Sequence, residues 1–202
     1  VNVETPLGPA RVLLRDPAGP PRGTLVLGHG AGGGIAAPDL DAVSEAACGA
    51  GWRVAGVEQP WRVAGKRIAP APPRLDLAWT AVLDHLRSLD ALAGPLVLGG
   101  RSAGARVACR TATAQGAAGV LALAFPLHPP GRPEKSRAGE LALVEVPLLV
   151  VQGETDAFGG PAEVAAAAPH AQVAGVGGDH ALKKDTAAVA AAVVPWLRAL
   201  PR

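Results

Sequence analysis

The chain has 202 residues, 49% of them hydrophobic and 18% charged, with a net charge of +2. That length supports a full apolar core without disulfide staples, and the composition excludes a disordered or polyelectrolyte chain. Arg and Lys are scattered rather than clustered, so nucleic acid is not an expected partner.

The N-terminal stretch VNVETPLGPARVLL reads as two short strands joined through LGP. It has neither a basic n-region nor an apolar h-region, and no later apolar run is long enough for a bilayer. A soluble, cytoplasmic protein with no membrane partner is therefore expected. TLVLG (24–28) is a buried strand, followed by a glycine loop and a helix from about Asp39 to Ala50. WRVAGVE (52–58) is the next strand. QPWRVAGKRIAPAPPR (59–74) is too aperiodic and too rich in Pro for either regular element. LDLAWTAVLDHLRSL (75–89) has apolar residues at helical spacing.

PLVLGG (95–100) is a strand, and SAGARVACRTATAQG (102–116) a helix ending at glycine. AGVLALAF (118–125) is another buried strand; LHPPGRPEKSRAGEL (127–141) is an irregular loop with room for a helical turn. PLLVVQG (147–153) and AQVAGV (171–176) are strands separated by the short helix EVAAAAP, and TAAVAAAVVPWLRAL (186–200) is the closing helix. Cys48 and Cys109 fall in helices without metal-ligand spacing and read as core residues of a reducing compartment; no metal and no cofactor is expected.

Apolar strands alternating with helices predict an α/β fold, a mostly parallel sheet with helices on both faces. No repeat, linker or composition break divides the chain, so residues 1–202 are expected to form a single domain. Ligands of such sheets meet the carboxyl ends of the strands. The residues just beyond those ends are His29-Gly30-Ala31, Glu58-Gln59, Arg101-Ser102-Ala103, His128, Asp156 and His180.

Gly100-Arg101-Ser102-Ala103-Gly104 is G-x-S-x-G, the pattern of a nucleophile elbow. A serine on so sharp a strand-to-helix turn is strained and exposed, and side chains two residues to either side would collide. A base and an orienting acid are then required. Asp156 follows one strand in GETDAFG and His180 follows the last in VGGDHALK, giving the chain order Ser, Asp, His. Glu154 and Asp179 are the alternative acids. His85 and His170 read as surface residues.

LVLGHGAGGG also fits G-x-G-x-x-G through Gly28, Gly30 and Gly33, and Glu58 ends the next strand where an acid of a dinucleotide site would stand. That reading leaves Ser102, Asp156 and His180 without a task. The other assigns the loop to an oxyanion hole, formed by the backbone N–H groups of Ala31 and Ala103. His29 is read as orienting this loop, and His29, Trp61, His128 and Phe158 are candidate substrate-binding residues. The basic loop WRVAGKR, with Arg62, Lys66 and Arg67, is either a solvated face or an attractor of anionic substrate.

Through LGHGAGGG, VEQPWRVAGKR, LGGRSAGARVA, FPLHPPGRPEK, VQGETDAFG and GGDHALK, the sequence resembles the α/β-hydrolases. Within them it is similar to small bacterial proteins of the dienelactone-hydrolase-like branch, relatives of the testis-expressed and NSL-complex hydrolase-like proteins. The resemblance implies a minimal hydrolase core without a cap domain, with Ser102, Asp156 and His180 at the triad positions and Ala31 and Ala103 at the oxyanion positions. Dienelactone hydrolases use a cysteine nucleophile where this sequence has Ser102. The expected function is a serine hydrolase of small carboxylic esters or related acyl compounds, its partner a small-molecule acyl substrate. An acyltransferase is a variant of it; a non-catalytic interaction module on the same fold is the alternative, and a dinucleotide-binding protein a third.

Overall fold

The computed structural model describes residues 1–201. Among them, β1 (Asn2–Thr5), β2 (Gly8–Arg15), β3 (Thr24–Gly28), β4 (Arg53–Glu58), β5 (Leu96–Arg101), β6 (Gly119–Leu123), β7 (Leu148–Gly153) and β8 (Gln172–Val176) form one sheet. Its order is β1-β2-β4-β3-β5-β6-β7-β8. β1 pairs antiparallel with β2, and β2 antiparallel with β4; every other neighbour is parallel. The split has a simple origin. Parallel neighbours need a long crossover, whereas the two residues between β1 and β2 allow only a hairpin.

The crossovers carry helices α1 (Pro38–Gly49), α2 (Pro60–Val63), α3 (Pro72–Ser88), α4 (Ala103–Thr111), α5 (Ala138–Ala142) and α6 (Pro161–Ala167), and α7 (Thr186–Ala199) follows β8. β3, β5, β6 and β7 are buried at every position, which explains their unbroken apolar runs. Successive residues serve opposite faces. Val26, Val120 and Val150 join Trp79 and Leu83 of α3 and Val107 of α4 in one core. Leu27, Leu121 and Leu149 join Val43 of α1 and Val193 of α7 in the other. Among the described residues no helix is long and apolar enough to cross a membrane.

Three elements depart from the sequence reading, one of them α4, which stops at Thr111, short of Gly116. The segment expected to be loop, 59–74, contains the single-turn α2 and the first turn of α3. Both helices start at a proline, where the missing N–H costs nothing. One turn is too short to show a period. Buried Trp61 holds α2 in place, and Gly65, at φ +71°, ends it.

From β3 the chain goes through α1 to β4 on one side, then through α3 to β5 on the other. The strand order therefore reverses between β3 and β5, which opens a crevice at their carboxyl ends. The glycine loop and Ser102 stand at that point. The connection from β6 to β7, residues 124–147, holds only a 3-10 turn and α5.

Candidate active site

Ser102 links β5 to α4 with φ 53° and ψ −107°, a region that costs a non-glycine residue roughly 1–3 kcal/mol. The turn is held from both sides: Ser102 N–H donates to Leu123 O at 2.9 Å, and Ser102 O accepts from Arg106 N–H at 3.1 Å. The flanking glycines are required by contact. A Cβ on Gly104 would fall on the Gly28 carbonyl, 2.5 Å from its carbon, and one on Gly100 would stand 2.9 Å from Gly28 N. β3, β5 and α4 thus meet backbone to backbone beneath the serine.

His180, in the loop after β8, bonds through Nε2 to Ser102 Oγ at 2.9 Å and through Nδ1 to Asp156 Oδ2 at 2.8 Å. The ionised carboxylate can only accept, so Nδ1 carries the proton and Nε2 is free to take one from the serine. Asp156 is fixed by further donors. Phe158 N–H donates to Oδ1 at 2.8 Å, and Gln152 Nε2 donates to Oδ2 at 2.9 Å. The Phe158 ring lies against the imidazole, with centroids 4.2 Å apart. Neither of the alternative acids bonds to the imidazole: Asp179 accepts from Ala181 N–H, and Glu154 is exposed.

These groups open on a cleft of about 830 Å³ lined by Ala31, Ser102, Ala103, Phe158 and His180. α4 begins at Ala103 and directs its first N–H groups and positive dipole end at the same place. Among the described residues neither the Ala31 nor the Ala103 N–H has a protein acceptor. The Gly30 carbonyl is held by His29 Nδ1 at 2.9 Å and by Gly33 N–H. In a trans peptide the N–H opposes the C=O, so pinning the carbonyl also fixes where the Ala31 N–H points.

The structure separates the four candidate substrate-binding residues. Phe158 lines the cleft; His29, Trp61 and His128 do not. His29 and Trp61 lie in the interior, beside a void of about 10 Å³ behind Ala103, their rings 5.4 Å apart. The apolar surroundings of α2 and α3 draw both of them inward. His128 is turned to Pro129 O and Glu163 at 3.0 and 3.1 Å.

His29 Nε2 accepts from Gln59 N–H at 3.1 Å, so the imidazole is neutral, with its proton on Nδ1. Burial lowers its pKa from the usual 6.5, against the opposing pull of the Gly30 carbonyl. Protonation would set a second N–H against Gln59. A histidine with a depressed folded-state pKa contributes stability that is present above 6.5 and lost as pH falls below it. Chemical denaturation should accordingly show unfolding free energy falling from pH 7.5 to 5.5, and falling less in His29→Gln. An equal loss in the variant would exclude His29 as the source.

The glycine loop does not open a helix, because α1 starts only at Pro38, well beyond Gly33, and Glu58 is paired with Arg11 at 3.3 Å. The dinucleotide geometry, with phosphate on the helix N-terminus, is not formed by this segment. Among the described residues no group of three or more His, Cys, Asp and Glu side chains is placed to hold a metal ion.

The family model for the alpha/beta hydrolase domain matches residues 21–192. The chain belongs to the alpha/beta hydrolase family. Its structure is similar to that of an alpha-beta serine hydrolase homologue from Coxiella burnetii, with a TM-score of 0.83 at 18% identity, covering 98% of this chain and 96% of that one. A serine hydrolase without a lid from Xanthomonas campestris matches with a TM-score of 0.76 at 20% identity, over 100% and 95%. Dienelactone hydrolase from Anabaena variabilis matches with 0.76 at 18%, over 100% and 97%. No curated protein matches the sequence.

Two polar residues of this alpha/beta hydrolase escaped the sequence reading. Gln152 is fully buried, and its Nε2 also lies within hydrogen-bonding distance of Gly159 O and Phe125 O, at 2.7 and 3.1 Å, tying the acid's loop to β7 and to the chain after β6. Its signal was there: a lone amide near the end of the apolar run PLLVVQG. Arg101, the variable residue of the elbow, is buried under the glycine loop. Its Nε faces Asp39 Oδ2 at 3.6 Å and its Nη1 reaches Ala181 O, next to His180, at 3.5 Å. Burial raises the pKa of Asp39, while Arg101 holds it down. One guanidinium therefore bridges α1 and the histidine loop.

Proposed function

We propose that this chain is a serine hydrolase of small carboxylic esters or related acyl compounds, working through an acyl-enzyme. The reading rests on one observation above others: the hydrogen-bonded series Ser102–His180–Asp156 ends at the floor of the cleft, between two amides without acceptors. Ser102 Oγ attacks the acyl carbon as His180 Nε2 takes its proton. The carbonyl oxygen becomes an oxyanion between the N–H groups of Ala31 and Ala103. Asp156 stabilises the imidazolium without taking its proton. His180 then protonates the leaving alkoxide, the C–O bond breaks, and Ser102 holds the acyl group. Water attacks next, giving a proton to His180, and the second tetrahedral species collapses to the free acid and the serine hydroxyl.

The serine hydrolases of similar fold agree with this chemistry. Among the described residues no segment covers the cleft, which favours short or exposed acyl groups over long lipids. An interaction module would tolerate an occluded serine or a displaced acid. Here Ser102 is half-exposed and Asp156 bonded to the imidazole, which weighs against it.

The test is intact-mass measurement after treatment with a fluorophosphonate. One adduct is expected on the wild type, and none on Ser102→Ala or His180→Ala. A folded wild type that takes no adduct would return the weight to the interaction module.

A further inference from the structure

The cleft is strongly cationic. Arg62, Arg101, Arg106, Arg137 and Lys183 line it, against Asp179 alone among acids. Two of these cations are neutralised: Arg106 is held by both oxygens of Glu140 at 2.6 and 2.8 Å, and Arg101 faces Asp39. Among the described residues, Arg62, Arg137 and Lys183 have no carboxylate within 4.0 Å. Asp179 already accepts from Ala181 N–H.

Arg137 differs from the other two in being anchored. Its backbone N–H donates to Leu127 O at 2.7 Å, and its Nη1 to Pro126 O at 2.6 Å, Pro126 itself lining the cleft. A guanidinium has five N–H donors in a rigid fork, and no other bond to the protein is formed by this one. The group is half-buried, and burial together with the neighbouring Arg106 charge lowers its pKa. The fold thus holds a cation without an ion-pair partner, with a free edge, on the wall of the cleft that Ser102 lines. Such a fork matches a carboxylate in two parallel hydrogen bonds.

Resting on the hydrolase reading, we infer that the substrate carries, besides its ester, a carboxylate that binds Arg137 across the cleft. Of the basic loop that is either a solvated face or an anion attractor, Arg62 lines the cleft, whereas Lys66 and Arg67 do not. Arg62 and Lys183 supply the same sign of field at the cleft and steer the anion inward.

The experiment compares kcat/KM for two matched ester pairs at low ionic strength. In one pair the acyl chain ends in a carboxylate or its methyl ester (4-nitrophenyl glutarate monoester). In the other the phenol leaving group bears the carboxylate or its methyl ester (4-acetoxybenzoate). At least one pair should show a preference for the anion of about tenfold or more, falling with added salt. Arg137→Gln should bring that ratio close to one, mainly through KM, and Arg137→Lys should retain part of it. A wild type without preference in either pair, or an Arg137→Gln that keeps it while melting like the wild type, overturns the inference. If fluorophosphonate marks Ser102 in the same preparation, the hydrolase reading survives that failure. If neither adduct nor turnover is seen, both fall together.

Discussion

Replacing Ser102 by Ala is expected to lower kcat on a short-chain ester by on the order of 10⁴ or more, with His180→Ala costing about as much. The reason is geometric. The serine hydroxyl is a weak nucleophile until a base removes its proton during attack, and His180 Nε2 is bonded to it at 2.9 Å. The two residues act as a unit, so the double variant should be little slower than either single one. Asp156→Asn should cost on the order of 10³ to 10⁴. The amide can turn its NH₂ toward Nδ1, which would favour the tautomer with the proton on Nε2, facing the serine. On the proposed mechanism, what stays is the hydrolysis supported by binding and by the amides of Ala31 and Ala103. Steady-state kinetics on all four variants, with circular dichroism to check folding, provides the check. A Ser102→Ala protein that keeps most of its turnover would sink the acyl-enzyme mechanism.

The second large effect concerns the frame beneath the serine. Gly104→Ala should destabilise the protein by about 3 kcal/mol or more, the upper part of the range for overpacking. The added methyl would meet Gly28 backbone, 2.5 Å from its carbonyl carbon and 3.0 Å from its Cα. Backbone in a central strand has no rotamer by which to yield. Separating α4 from β3 would relieve the clash, but it would also move Ala103 and the elbow. Gly139→Ala is the control, since nothing lies within 4 Å of the new methyl there and α5 gains a better helix former. It should leave stability unchanged or slightly raised. Urea unfolding of both variants decides. Equal stability for Gly104→Ala and wild type would mean that β3 and α4 do not meet as closely as described.

Much of the sheet was legible because burial on both faces forces an unbroken apolar run, and TLVLG, PLVLGG, AGVLALAF and PLLVVQG each have one. The elbow was legible for a related reason, as a close backbone crossing admits glycine and little else. The short α2 was not legible, because a single turn with Pro60 at its start has no period to detect. The substrate-binding candidates divided on a similar limit. Nearness to a strand end put His29, Trp61, His128 and Phe158 in one group, yet whether a ring turns to the cleft or inward depends on neighbours far away in the chain. For His29 those are Gln59 and Trp61; for His128, Glu163.

Sequence by itself therefore determined the α/β class, the parallel core and the order of Ser102, Asp156 and His180 along the chain. All of these follow from local periodicity and from steric demands within a few residues. Only the tertiary structure decided which acid meets the imidazole, how Gln152 and Phe158 hold it, and which cations of the cleft remain unpaired. Those are contacts between residues tens of positions apart, such as Ser102 with His180 or Arg106 with Glu140. Hydrogen bonds and ion pairs act over a few ångströms in space, and until the sheet has set its strand order nothing in the chain fixes which polar groups come within that reach.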